Sequence, residues 1–188
     1  MSDDEAKDLI HRGVVDELEL TITSDISVSL YSDICWMTDR IAQHIHEICL
    51  IISNNARRND NIINQDVMDR AVRTWMEDSL SSDMATIEAA MNARETKVGR
   101  KNQCLYALGQ CRNEDFKPGD IEAILKEHFE VGDATLNVSQ ILSGFADESN
   151  PIIRRTPKAD AWRFVSPKLK MAIRAKLQKK DDKVVVRG

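Results

Sequence analysis

Ile34, Met37, Ile41, Ile45, Ile48 and Ile52 follow one another at steps of 3, 4, 4, 3 and 4. A strand cannot keep that set on one face, because its side chains alternate at period two. A helix of 3.6 residues per turn gathers all six into one stripe. The spacing therefore predicts one long helix over 33–56 with a buried isoleucine seam. The polar run NNARRNDN ends the pattern. Only seven glycines and four prolines punctuate 188 residues, so helices rather than many short strands are expected along the whole chain.

Other local signals agree. Ser2 and Glu5 have the spacing of a capping box, with Ala6, Leu9 and Ile10 as the apolar side of a first helix and Gly13 as its expected stop. Ser24 or Asp25 is placed to cap a second helix through Leu30. Asn64 is placed to cap another, whose apolar side is Val67, Ala71, Val72, Trp75, Met76 and Leu80. The SSD at 81–83 either interrupts it or lets it run on through Met84, Ile87 and Met91. A composition shift at NARETKVGRKN separates a first module at 1–93 from a second at 97–178, with a flexible tail at 179–188. In the second module Cys104, Leu105, Leu108 and Cys111 share one helix, FKPGDIEAILKEHF gives a turn and a second, and NVSQILSGFADESN gives a third. Only NPIIRRTPKADAWRFVSP changes period. Ile152–Arg155 and Trp162–Phe164 read as the strands of a hairpin, with Trp162 and Phe164 on one face. SPKLKMAIRAKLQKK reads as a basic amphipathic helix with Ser166 at its N-cap and Pro167 at N1. The expected fold is mainly α, a helical bundle followed by three helices and one β-hairpin, with no parallel sheet. Three helices and then a hairpin is the order of a winged-helix module.

Charge is distributed unevenly. Residues 1–150 carry 14 Lys and Arg against 28 Asp and Glu, whereas 151–188 carry 12 against 3. The basic end is suited to an acidic partner. Cys35, Cys49, Cys104 and Cys111 form no C-x-x-C pair, so they read as reduced core thiols of a cytoplasmic protein. No apolar leader or membrane-spanning run is present, and no membrane partner is expected.

SDDEAKDLIHRGV, the predicted helix at 33–56 and INQDVMDRAV resemble the helical lid of AAA+ and STAND-type P-loop ATPases. ILSGFADESNPIIRRTPKADAWRFVSPKLKMAI resembles the winged helix that follows that lid in many of them. The resemblance spans nearly all of residues 2–178 and lies in the order of the motifs. It implies an accessory lid and winged-helix region whose partner is a P-loop ATPase core or another protein. The chain has no G-x-x-x-x-G-K-[ST], so it has no phosphate cradle of its own. ATP and magnesium would enter only through a core domain that this chain lacks. In the family a sensor arginine stands where the long lid helix begins. Here that stretch reads SDICWMTDR, and Arg40 is the candidate for contacting a cofactor, against the plainer reading of a solvated helix arginine.

No catalytic constellation is evident, and the chain is read as non-enzymatic. His44 and His46 are two residues apart, so on a helix they point about 200° apart and cannot share a metal. They are read as partly exposed histidines. Glu114–Asp115 is explained as turn and helix-start chemistry. The remaining signal is cationic. Arg154, Arg155, Lys158 and Arg163 lie on the hairpin, and Lys168, Lys170, Arg174 and Lys176 on the last helix. These groups would meet phosphates of double-stranded DNA without regard to sequence or an acidic protein surface. The third helix offers only Asn137, Ser139 and Gln140 as base-edge readers. The alternative to the ATPase accessory region is a small winged-helix DNA-binding regulator that dimerises through its N-terminal helices.

Overall fold

The structure is a computed structural model that describes residues 1–91, 99–131, 136–147, 149–157 and 160–186. It is mainly helical with a few small strand pairs. The chain forms two compact units, Met1–Ser79 and Leu80–Gly188. The expected division at 93–97 moves N-terminally because the helix at 81–90 packs within the second unit, where Met84, Ile87 and Ala90 are buried.

In the first unit, α1 (Asp3–His11) begins with the predicted capping box. The Glu5 N–H donates to Ser2 Oγ at 3.2 Å, and the Ser2 N–H donates to Glu5 Oε2 at 2.8 Å. Gly13 does not stop the helix. The chain winds on through a π-helical stretch, Arg12–Glu17, and turns at Glu19, whose φ is 53°. β1 (Thr21–Ile22) follows, and α2 (Leu30–Met37) starts where the helix from Ser24 or Asp25 was expected to end.

The predicted continuous helix at 33–56 is two helices, α2 and α3 (Ala42–Arg57). Between them Asp39 and Arg40 take φ values of 51° and 58°. The Arg40 N–H donates to the Cys35 carbonyl at 3.1 Å and the Asp39 N–H to the Trp36 carbonyl at 3.4 Å, the pattern of a left-handed helix stop. Buried Thr38 adds a bond from Oγ1 to the Ile34 carbonyl at 2.7 Å. The seam survives the break, since Ile34, Met37, Ile45, Ile48 and Ile52 are all buried.

β2 (Ile62–Ile63) pairs in parallel with β1. Short as it is, this pairing contradicts the expectation of no parallel sheet. Two-residue strands leave no alternation to detect. α4 (Gln65–Ser79) is capped as predicted by Asn64, whose Oδ1 accepts from the Val67 N–H at 3.0 Å, and Trp75 is fully buried on it.

The second unit opens with α5 (Ser81–Ala90), so the chain does break at Leu80. Three helices follow, α6 (Arg100–Gln110), α7 (Pro118–His128) and α8 (Val138–Asp147). β3 (Ile153–Arg155) and β4 (Trp162–Phe164) form the predicted antiparallel hairpin. α9 (Pro167–Lys176) starts as expected, with Ser166 Oγ accepting from the Lys168 N–H at 3.2 Å. The expected flexible tail is in part a second hairpin, β5 (Leu177–Lys180) and β6 (Lys183–Val186), turning through Asp181 at a φ of 55°. The Glu130 N–H donates to Asp182 Oδ1 at 2.7 Å, and the Lys179 ammonium sits 5.7 Å above the Phe129 ring. These contacts hold a segment whose composition reads as frayed.

α9 is the central element of this unit and packs against α5, α6, β4 and β5. Every residue from Leu169 to Leu177 is buried. α6 approaches it so closely at Gly109 that a Cβ there would lie 2.7 Å from Ile173 Cγ2. Cys104 and Cys111 lie in this core, and burial pushes the Cys104 thiol up to about 12.

Two stability outcomes follow from this packing. Gly109→Ala should destabilise the second unit by about 1–3 kcal/mol, the usual cost of overpacking, because the clash is with a stiff β-branched side chain on a buried helix. Ile45→Ala should cost the first unit about 2–5 kcal/mol through the cavity it leaves, with Lys7→Ala on the exposed face of α1 as a control below about 0.5 kcal/mol. Urea denaturation measures both.

Candidate partner-binding surface

The β3–β4 hairpin is held by three devices. Phe116, between α6 and α7, bridges to Trp162 in antiparallel fashion, with N–H to carbonyl distances of 2.9 and 2.8 Å. The Phe116 and Phe164 rings lie 5.8 Å apart. Arg163 donates from Nε to Asp115 Oδ1 at 2.8 Å and lies 3.0 Å from Glu114 Oε1. The hydrogen bond to Asp115 raises the Arg163 pKa further. Glu114 and Asp115 therefore do more than shape a turn. The signal in the sequence was an acidic pair before the second helix of the module and an arginine between two aromatic strand residues.

The register pairs Ile153 with Phe164, Arg154 with Arg163 and Arg155 with Trp162. Residues directly opposite share a face, so Ile153, Arg155, Trp162 and Phe164 form one face and Arg154 and Arg163 the other. As predicted, Trp162 and Phe164 share a face, and Trp162 is buried. The Arg155 guanidinium lies 4.7 Å above the Trp162 ring, a cation–π contact that orients it. Arg154 is exposed. Lys158 lies outside the described residues.

The last helix does not present the expected basic face. Lys170, Arg174 and Lys176 are only 6%, 5% and 9% exposed. Arg174 Nε donates to the Gly109 carbonyl at 2.7 Å, and Lys176 Nζ bonds Glu88 Oε1. The long stems of these side chains are packed between α5 and α6, so residues that read as a solvated stripe line the core instead. Lys168 is half-buried. Burial pushes the Asp83 carboxyl up, and the Lys168 charge opposes that shift without cancelling it.

On α8 the buried side is Val138, Leu142 and Phe145. Asn137, Ser139 and Gln140 are exposed where the helix starts. Asn137 takes a φ of 49°, and its carbonyl accepts from the Gln140 and Ile141 N–H groups, both at 3.1 Å. The exposed positions of this helix carry no cation.

In the first unit Arg40 sits in the left-handed turn rather than on a helix. It pairs with Asp3 Oδ1 at 2.8 Å and lies 3.9 Å from Asp39 Oδ1. The hydrogen bond to Asp3 raises its pKa.

His44 is buried, not partly exposed, while His46 is exposed. His44 Nδ1 lies 2.9 Å from Glu47 Oε2, which also accepts from Trp75 Nε1 at 3.3 Å, and Gln43 Nε2 donates to Glu47 Oε1 at 3.1 Å. Burial pushes the Glu47 carboxyl up, but bonds from His44, Trp75 and Gln43 outweigh it and leave the pKa lowered. Among the described residues no group of three or more His, Cys, Asp or Glu side chains is arranged to hold a metal ion, and no helix is long and apolar enough to cross a membrane.

No family model, curated protein or solved structure matches the chain.

The Glu47 cluster predicts a pH response. A carboxyl whose pKa is lower in the folded unit than its ordinary 4.5 contributes stability that is present above the ordinary value and lost as pH falls through the folded one. Acidification through that window should weaken the first unit, and Glu47→Gln should flatten this part of the profile. Urea denaturation followed by tryptophan fluorescence at a series of pH values measures it. An acid slope unchanged in the variant would mean that His44 and Trp75 hold the carboxylate no better than water does.

Proposed function

We propose that the chain is a non-catalytic accessory region of the AAA+ and STAND-type ATPase kind. On this reading the first unit is a helical lid and the second a winged-helix module, and the module contacts a protein rather than reading DNA. Nucleotide and magnesium would belong to a P-loop core outside this chain, with Arg40 as the first unit's candidate for reaching it. The order α6, α7, α8, β3 and β4 supports the winged-helix reading, as does the Phe116 bridge, which gives the hairpin the third segment that a lone hairpin needs.

One observation carries the choice of partner, namely where the cations go. DNA binding needs lysines and arginines that reach phosphates. Here Arg163 is engaged by Asp115 and Glu114, Lys170, Arg174 and Lys176 are buried, and α8 exposes no cation. Of the described cations on the β3–β4 hairpin, Arg154 and Arg155 alone are left to reach phosphates, a small footprint, and the exposed Lys179, Lys180 and Lys183 lie on the second hairpin instead. Arg154 and Arg155 are also what favours the second reading, a DNA-binding regulator, because Arg154 is exposed and has no acidic partner among the described residues.

Filter binding on two unrelated duplexes over a salt series tests the choice. The expected result is no appreciable binding near physiological salt of about 0.15 M, with the Arg154→Ala, Arg155→Ala double variant indistinguishable from the wild type. Sequence-indifferent binding that the double variant loses on both duplexes, with the salt slope flattened by up to about two units, would establish the regulator reading instead. A strong preference for one duplex would redirect attention to Asn137, Ser139 and Gln140.

A further inference from the structure

The last hairpin fixes its own hydrogen-bond phase. Lys180 pairs with Lys183 across a turn made of Asp181 and Asp182 alone. Two adjacent residues cannot bond each other across so short a turn, so Lys180 and Lys183 are the pair that exchange backbone bonds. Antiparallel pairs alternate between bonded and non-bonded. Gln178 and Val185 are therefore bonded too, whereas Lys179 with Val184 and Leu177 with Val186 are not. The N–H and carbonyl groups of Val184 and Val186 thus point away from β5, along the outer edge of β6. The sheet has only these two strands among the described residues, and no backbone bond there joins either valine to another element.

The side chains show which face of the hairpin is covered. Residues directly opposite share a face, so Leu177, Lys179, Val184 and Val186 form one face and Gln178, Lys180, Lys183 and Val185 the other. Leu177 is buried and Lys179 sits over Phe129, so the first face is turned inward. α6 packs against both strands, which places it under the sheet rather than along one edge. At the β6 edge Lys183 and Val186 are exposed, Val186 by 47%, and Val184 and Val185 are half-buried. On the open face Lys180 and Lys183 stand directly opposite each other, an arrangement that like charges disfavour. Neither has an ion-pair partner among the described residues, and the neighbouring Asp182 carboxylate is taken by the Glu130 N–H.

We propose that the outer edge of β6 docks an extended segment of a protein partner that carries β-branched residues and one carboxylate. The segment adds as a third strand through the Val184 and Val186 backbone groups. Its β-branched side chains continue the inward face beside these two valines, where such residues pack well. Its carboxylate stands opposite Lys183 and relieves the repulsion from Lys180. A second copy of the chain does not fit, because β6 carries a lysine and no acidic residue, and lysine on an edge strand is a device that rejects self-association. This rests on the protein-contact reading above and names the partner's chemistry and where it sits.

The test uses the full chain and a capped peptide, Thr-Val-Thr-Ile-Glu-Thr, followed by amide nitrogen–proton correlation spectra. Aligned antiparallel, its Val and Ile face Val186 and Val184, and its Glu faces Lys183. The Val184 and Val186 signals should move and saturate. The same peptide N-methylated at Val and Ile should not bind, and its Glu-to-Lys counterpart should bind about three- to tenfold more weakly, the size of an exposed ion pair lost and reversed. Lys183→Glu should invert that preference, which separates a lost contact from a lost fold. Val184→Pro removes an N–H that faces away from β5, a place where a strand tolerates proline, and should abolish binding while the Gln178 and Lys180 signals stay in place. Equal binding by the N-methylated peptide, or no response at Val184 and Val186, would overturn the proposal. So would movement of those signals with protein concentration alone, which would make the occupant a second copy. If duplex DNA moves them while the peptide does not, the protein-contact reading falls as well. If neither moves them, only the β6 site falls and the protein contact must lie elsewhere.

Discussion

The second unit depends on the burial of α9. A helix packed against α5, α6, β4 and β5 places every side chain from Leu169 to Lys176 against protein, including three cations. A buried charge is tolerable only when bonded. Arg174 meets the Gly109 carbonyl, which is also where α6 comes close enough to exclude a Cβ, and Lys176 meets Glu88 on α5. The same contacts explain why α5 belongs to this unit although its sequence continues smoothly from α4. The surrounding helices are tied to α9 through these polar contacts as well as through apolar area.

This arrangement changes the electrostatics of the basic end of the chain. Lys170, Arg174 and Lys176 do not reach solvent where a ligand would meet them. What remains on the β3–β4 hairpin is divided further. Arg163 fastens the strand to the α6–α7 connection, Arg155 is exposed but lies over Trp162, and Arg154 is exposed with no acidic partner among the described residues.

The first unit uses a different device. Its isoleucine seam crosses a helix break that apolar spacing cannot register, because the left-handed turn at Asp39 and Arg40 leaves Ile34 and Met37 of α2 and Ile45, Ile48 and Ile52 of α3 all buried, with Ile41 between them half-buried. Beside the seam, Glu47 gathers His44, Trp75 and Gln43 and so links α3 to α4 through a carboxylate.

Much of the local structure was legible in the residues alone. The Ser2–Glu5 box, the Asn64 and Ser166 caps, the switch to period two at Ile152 and the shared face of Trp162 and Phe164 all depend on neighbours within a few positions. So does the predominance of helix. Contacts distant in sequence were not legible. They include the pairing of Thr21–Ile22 with Ile62–Ile63, the capture of Arg163 by Asp115, the Lys179 and Asp182 contacts that hold the last hairpin, and the burial of Lys170, Arg174 and Lys176. The sequence by itself determined where several helices start and where the β3–β4 hairpin lies, because capping and periodicity are short-range physics. Only the tertiary structure decided which charges stay in water and which are spent inside, because that depends on which helix ends up in the middle.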